Sequence, residues 1–295
     1  MTTDGLDAEL QAEQAARAAR GLARATSLDG APPGVDFGSN DYLGLAEDEA
    51  LVRALQDGAR HGVGGRASRL LSGGSPLHEE CEAAAAEWLG AEAALLFSSG
   101  FQANVGLVGA LVGRGDAVVS DRLNHASLID GARLSRAQVI VHEHGDLDDL
   151  DRALRRAASA RRRVVLTEGV FSMTGDLAPL AEIDELCRRR DAWLVVDEAH
   201  AAGLLGPEGA GAWAAADVEA GHRLCARVVT CSKSLGVAGA FVAGSAALRA
   251  HLIHAARSFL FSTAPPPPVA GALIAAVARC RRADALRAQA LANAR

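Results

Sequence analysis

The sequence predicts an α/β fold, with a mostly parallel sheet held between helical layers. Three observations predict it. Short, near-continuous apolar runs at 93–97, 117–120, 138–142, 163–167, 193–196 and 228–230 alternate with helical stretches. Such runs are strands buried on both faces and joined by βαβ crossovers. Polar and ionisable residues then follow these runs, at the carboxyl ends where sheets of this kind bind ligands. Finally, 295 residues with 49% hydrophobic and 22% charged content can bury a large core and fill more than one domain.

Taken in order, residues 7–25 read as an amphipathic helix rich in Ala and Arg, and 35–45 as a short strand and a turn. Tyr42, the only tyrosine, reads there as a buried turn anchor. A helix over 47–61 precedes the glycine-rich stretch 62–74, where the backbone can flex or approach a neighbour closely. Ser75-Pro76 opens a helix with a capping hydroxyl and proline in the first turn, and Gly90 ends it. Helices over 101–112, 126–135, 146–159, 179–190 and 245–257 separate the strands, with a further strand at 239–243. Pro265 to Pro268 form a rigid break, and an Ala-rich helix follows to the end.

The bulk numbers narrow the function. A net charge of −6 gives no general attraction to nucleic acid or an anionic membrane. Five scattered cysteines without a C-x-x-C pair argue against a disulfide framework or a zinc site. The N-terminus mixes acids with arginines and lacks an apolar core, and no run has transmembrane character. The expected setting is the cytoplasm.

One lysine, Lys233, stands against 29 arginines. Arginine replaces lysine wherever charge alone is needed, but not where an amine must lose its proton and bond to a carbonyl. Around Lys233 the strand ends offer Ser99-Gly100, Asn124-His125, Glu168 with Ser172, and Asp197 to His200. An amine, a carboxylate and two imidazoles at one sheet edge suggest pyridoxal phosphate. Lys233 would meet its aldehyde, Asp197 its pyridine nitrogen, His125 its ring face and His200 its phenolic oxygen. Gly100 and Phe101, opening a helix, would meet the phosphate with Thr230 and Ser232. Asp197 to His200 also spell D-E-A-H, as in ATPases, but no G-x-x-x-x-G-K-[ST] loop is present. A metal held by His125, Asp197 and His200 would leave the lysine unexplained.

These residues lie in motifs that resemble the α-oxoamine synthases, pyridoxal-phosphate enzymes of fold type I. The motifs are Asn40-Asp41-Tyr42-Leu43-Gly44, Gly100 to Asn104, Asp121 to Ser127, Thr167 to Met173, Asp197 to His200, and Ser232-Lys233 with Gly236. Arg69 to Gly73 and Phe171 to Asp176 look most like the biotin-pathway branch of that family. The resemblance implies a three-layer large domain at 46–260, preceded by a helix and arm at 1–45. Residues 261–295 would begin a small C-terminal domain that is largely missing. It implies that Lys233, His125, Asp197 and His200 are catalytic, and that Gly100, Phe101, Ser172, Thr230 and Thr263 contact the cofactor. Thr263 would reach across a homodimer. Arg20, with His125, would touch substrate. The implied reaction is a decarboxylating condensation of L-alanine with a pimeloyl thioester of CoA or acyl carrier protein. Other branches, with other amino acids and acyl chains, remain alternatives, as does a homologue without turnover. Ala240 replaces a glycine common in relatives, a change small enough to be tolerated.

Overall fold

In chain order the strands are β1 (Ala93–Phe97), β2 (Ala117–Asp121), β3 (Gln138–His142), β4 (Arg163–Glu168), β5 (Trp193–Asp197), β6 (Leu224–Thr230) and β7 (Ala240–Gly244). They form one sheet in the order β1-β7-β6-β5-β4-β2-β3. The pairings from β6 to β3 are parallel, and β7 runs antiparallel to both its neighbours. The computed structural model describes residues 4–24, 26, 38–216, 218 and 221–294.

The helices are α1 (Asp4–Ala19), α2 (Glu49–Gly58), α3 (Pro76–Leu89), α4 (Gly100–Leu111), α5 (Ala126–Ser135) and α6 (Leu147–Arg156). Then come α7 (Leu180–Arg190), α8 (Ala212–Ala215), α9 (Ala246–Ala255), α10 (Arg257–Leu260), α11 (Pro267–Arg281) and α12 (Asp284–Asn293). The chain divides into two units, Met1–Ser39 and Asn40–Arg295. The first contains α1, with an Arg17–Glu13 ion pair one turn apart. The second contains the sheet.

The continuous apolar runs of the inner strands follow from burial on both faces, whereas β3, expected to be buried likewise, lies at the sheet edge and leaves Val139 and Val141 exposed. Successive strand residues point to opposite sides. In β1, Leu95 packs with Leu107 and Leu128, whereas Leu96 packs with Trp88 and Leu273. In β5, Val195 joins the first of those clusters, and Leu194 and Val196 join a third with Leu150 and Leu186. Helix α11 lies so close to α2 that a Cβ on Gly58 would come within 2.8 Å of the Pro268 Cα.

Several elements differ from the sequence reading: the helix expected over 7–25 is α1, which ends at Ala19, and the one expected over 245–257 is split into α9 and α10. Strand β6 begins at Leu224 rather than 228, because buried Arg227 interrupts the apolar run while remaining in the strand. The expected strand near 35–45 is a turn over 38–45, and residues 35–37 lie outside the described residues. The C-terminal helix breaks into α11 and α12 at Arg282-Ala283.

Candidate active site

The turn after β6 presents Lys233. Its backbone is pinned where Gly236 N–H donates to the Lys233 carbonyl at 2.9 Å. Gly236 has a φ of +68°, and a Cβ there would lie 2.4 Å from the Ala46 nitrogen. Glycine meets both demands. The Lys233 Nζ lies 2.7 Å from His200 Nε2, and His200 Nδ1 lies 2.6 Å from the Tyr42 hydroxyl. Tyr42 in turn donates to Asn40 Oδ1 at 3.0 Å. With that proton committed to Asn40, His200 donates from Nδ1 to Tyr42 and accepts from Lys233 at Nε2. That arrangement needs a neutral imidazole. Burial, then the charge of Lys233, pulls the His200 pKa down to about 4. Burial also lowers the Lys233 amine, against the opposing pull of Asp197 and Glu168. Tyr42 is therefore more than the turn anchor expected from sequence: half-buried, it orients the histidine beside the lysine.

Asp197 ends β5 with 3% exposure. One carboxylate oxygen accepts the Ala199 N–H at 2.9 Å, and the other accepts Asn104 Nδ2 at 2.6 Å. The same amide nitrogen donates to Ser127 Oγ at 2.9 Å, which lies 2.7 Å from His125 Nδ1. A carboxylate only accepts, so the Asn104 amide must present its nitrogen to Asp197. Its oxygen is left buried without a partner among the described residues.

Glu168 ends β4 with 2% exposure. It accepts the backbone N–H of His125 at 2.6 Å and that of Ser172. Burial, and next the negative charge of Asp197, pushes its pKa up to about 7. Glu168 thus joins the turn carrying Ser172 to the start of α5, where the His125 ring is exposed.

At the start of α4 the Ser99 hydroxyl caps the helix by accepting the Gln102 N–H at 3.3 Å. A Cβ on Gly100 would lie 2.1 Å from Thr230 Oγ1, so only glycine lets the helix start meet that hydroxyl. Phe101 is exposed. Thr263 lines a small cleft with Ser98, Gln102 and Ser262. Arg20 belongs to the N-terminal unit, Met1–Ser39. Lys233, His200, Asp197 and His125 are thus joined by short contacts or fields. The sequence reading gave no role to Asn104, Ser127 or Glu168. Their signal was present, since each falls inside a motif or at a strand end.

The donor set fits pyridoxal phosphate. It offers an amine of lowered pKa, a carboxylate buried but not saturated, an exposed imidazole ring, and a helix start whose contact with Thr230 a Cβ would fill. Residues 32–295 match the aminotransferase class I and II family. The chain belongs to that family, within its pyridoxal-phosphate-dependent α-oxoamine synthase branch. More particularly, it is 50% identical to an 8-amino-7-oxononanoate synthase of Aromatoleum aromaticum over 292 residues, 96% of this chain and 75% of that one. A solved 8-amino-7-oxononanoate synthase of Francisella tularensis is 28% identical, with a TM-score of 0.74 over 86% of this chain and 71% of that one. A solved structure of SPT with PLP is 33% identical, with a TM-score of 0.83 over 88% of this chain and 65% of that one. The chain therefore spans about two thirds to three quarters of these relatives.

Proposed function

We propose that this chain carries the cofactor site of a pyridoxal-phosphate-dependent acyltransferase that joins L-alanine to a pimeloyl thioester, with loss of CO₂, to give 8-amino-7-oxononanoate. The observation that carries the reading is the lone lysine amine, held 2.7 Å from a neutral His200 at the edge of a buried carboxylate network. The 50% identity to a synthase of that name supports the choice of substrates. CoA and acyl carrier protein both suit the thioester.

Pyridoxal phosphate bound here supplies an aldehyde for an amine and a ring that takes up the electron pair released at the amino acid's α-carbon. Lys233 would hold the aldehyde, Asp197 the ring nitrogen, and His125 the ring face. His200 would approach the phenolic oxygen, with Ser172 beside it. Gly100, Phe101 and Thr230 would hold the phosphate, joined by Thr263 from the second copy in a homodimer. Desolvation favours the unprotonated form of the Lys233 amine, the form in which Nζ can accept a proton from the amino acid. His200 takes a hydrogen bond from that amine without competing as a charge. Asn104 holds the Asp197 carboxylate in place, and through Ser127 it sets the tilt of the His125 ring. Arg20 would touch substrate. A cytoplasmic enzyme suits the free cysteines.

The test is product formation. The purified chain, with pyridoxal phosphate, L-alanine and pimeloyl-CoA, is expected to form 8-amino-7-oxononanoate detectable by mass spectrometry. It should do so faster than with glycine or serine, and not at all when Lys233 is replaced by alanine. Equal turnover of glycine with acetyl-CoA, or of serine with palmitoyl-CoA, would move the chain to another branch of the family.

A further inference from the structure

Behind the site lies a histidine to which the proposed chemistry assigns nothing. His144 sits between two carboxylates. Its Nδ1 is 3.0 Å from Asp121 Oδ1, and its Nε2 is 2.9 Å from Asp176 Oδ2. Its ring meets Phe171 edge-on at 4.4 Å between centroids. Ionised carboxylates only accept, so both ring nitrogens must donate, and only the imidazolium has two N–H groups.

Each carboxylate governs a loop of the site. Asp121 ends β2, and its Oδ1 also accepts the Leu123 N–H at 2.8 Å, fixing the turn that leads through Asn124 to His125. Asp176 closes the turn that carries Ser172. Phe171 N–H donates to the Asp176 carbonyl at 3.0 Å, and Gly175 N–H to the Phe171 carbonyl at 2.8 Å. Glu168 ties the same two loops from the inner side, through the N–H groups of His125 and Ser172.

We propose that His144 is a positioning residue of this site: held as an imidazolium between Asp121 and Asp176, it locks the turn carrying Ser172 to the loop carrying His125. The importance of the two loops rests on the cofactor reading above; the clasp itself does not.

Titratable groups around His144 are few. Asp121 comes from the end of β2 and Asp176 from the Ser172 turn, while His142 and Asp146 flank it on its own stretch. The exposed Arg122–Glu143 pair lies on adjoining residues. Burial pulls His144 down, but Asp121 and Asp176 outweigh it and leave the ring above the ordinary histidine value. A raised folded pKa gives stabilisation that is complete below the unfolded value and lost as pH rises through the folded one. The lock is therefore closed below the ordinary histidine value and loosens as pH rises through the raised one.

The experiment combines imidazole NMR titration with hydrogen exchange over residues 171–177, corrected for intrinsic pH dependence. Pyridoxal phosphate affinity is measured alongside. Wild type should show His144 titrating above the ordinary histidine value, with protection of 171–177 falling through the same midpoint. His144→Gln should remove that step and weaken cofactor binding roughly tenfold at the lower pH. Asp176→Asn, at a half-exposed position that folding tolerates, should lower the His144 midpoint. An unchanged step in His144→Gln, or an unmoved midpoint in Asp176→Asn, overturns the lock. If the lock titrates as described but wild type binds no cofactor, the lock stands and the cofactor reading falls. If cofactor binds through Lys233 with equal affinity in His144→Gln, the positioning role falls.

Discussion

Asp197 and Glu198 are neighbours at the end of β5, yet their surroundings differ in kind. Glu198 accepts the Ala212 N–H at 2.7 Å, the Trp213 N–H at 3.0 Å and Arg227 Nε at 3.2 Å. Arg227 also donates from its two terminal nitrogens to the carbonyls of Leu89 and Ala210. Both side chains are almost fully buried, and their polar groups are matched within the protein. Around Asp197 the matching stops short. Among the described residues the Asn104 oxygen is buried without a partner, and Lys233 Nζ makes a single hydrogen bond, to His200. A saturated network fixes the fold; an unsaturated one at the same depth is left open for a ligand.

The largest effect is expected from Arg227→Met. It strands Glu198 as a buried, unpaired charge and should destabilise the fold by about 3–5 kcal/mol, read from denaturant unfolding. Cofactor affinity of the folded fraction should not move. If affinity collapses while stability holds, the two networks are not separate. A smaller effect is expected at Glu168, whose folded pKa is about 7 against 4.5 for the free side chain. A raised acid pKa means stability that is whole below the unfolded value and declines as pH climbs to the folded one. That decline amounts to about 3 kcal/mol. Glu168→Gln keeps an acceptor for His125 and Ser172 and should flatten it. Unfolding measured at pH 4.5 and pH 8 decides the point, since an equal slope in both proteins would contradict the burial of a reluctant charge.

The two regions also differ in how far the sequence discloses them. The site was legible because its groups are chemically unusual where they stand: one lysine among arginines, and acids and imidazoles at strand ends. The sheet was legible because its strands are apolar on both faces. Arg227 hid the start of β6, since a charge inside a strand looks like a break until its partner is known, and Glu198 is distant in sequence. Asn104 and Ser127 were hidden for a related reason. An amide and a hydroxyl inside helices are ordinary until three-dimensional contact links them to Asp197. Tyr42 stayed ambiguous because its partner, His200, lies on a separate segment 158 residues away.

The most direct test of the open network is the visible absorption of the purified chain as pyridoxal phosphate is added, with Lys233→Ala in parallel. A band that appears in the wild type, saturates at one equivalent and is absent from Lys233→Ala is the expected result. An identical band in both proteins, or none in a folded wild type, would contradict the assignment of this sheet edge to the cofactor.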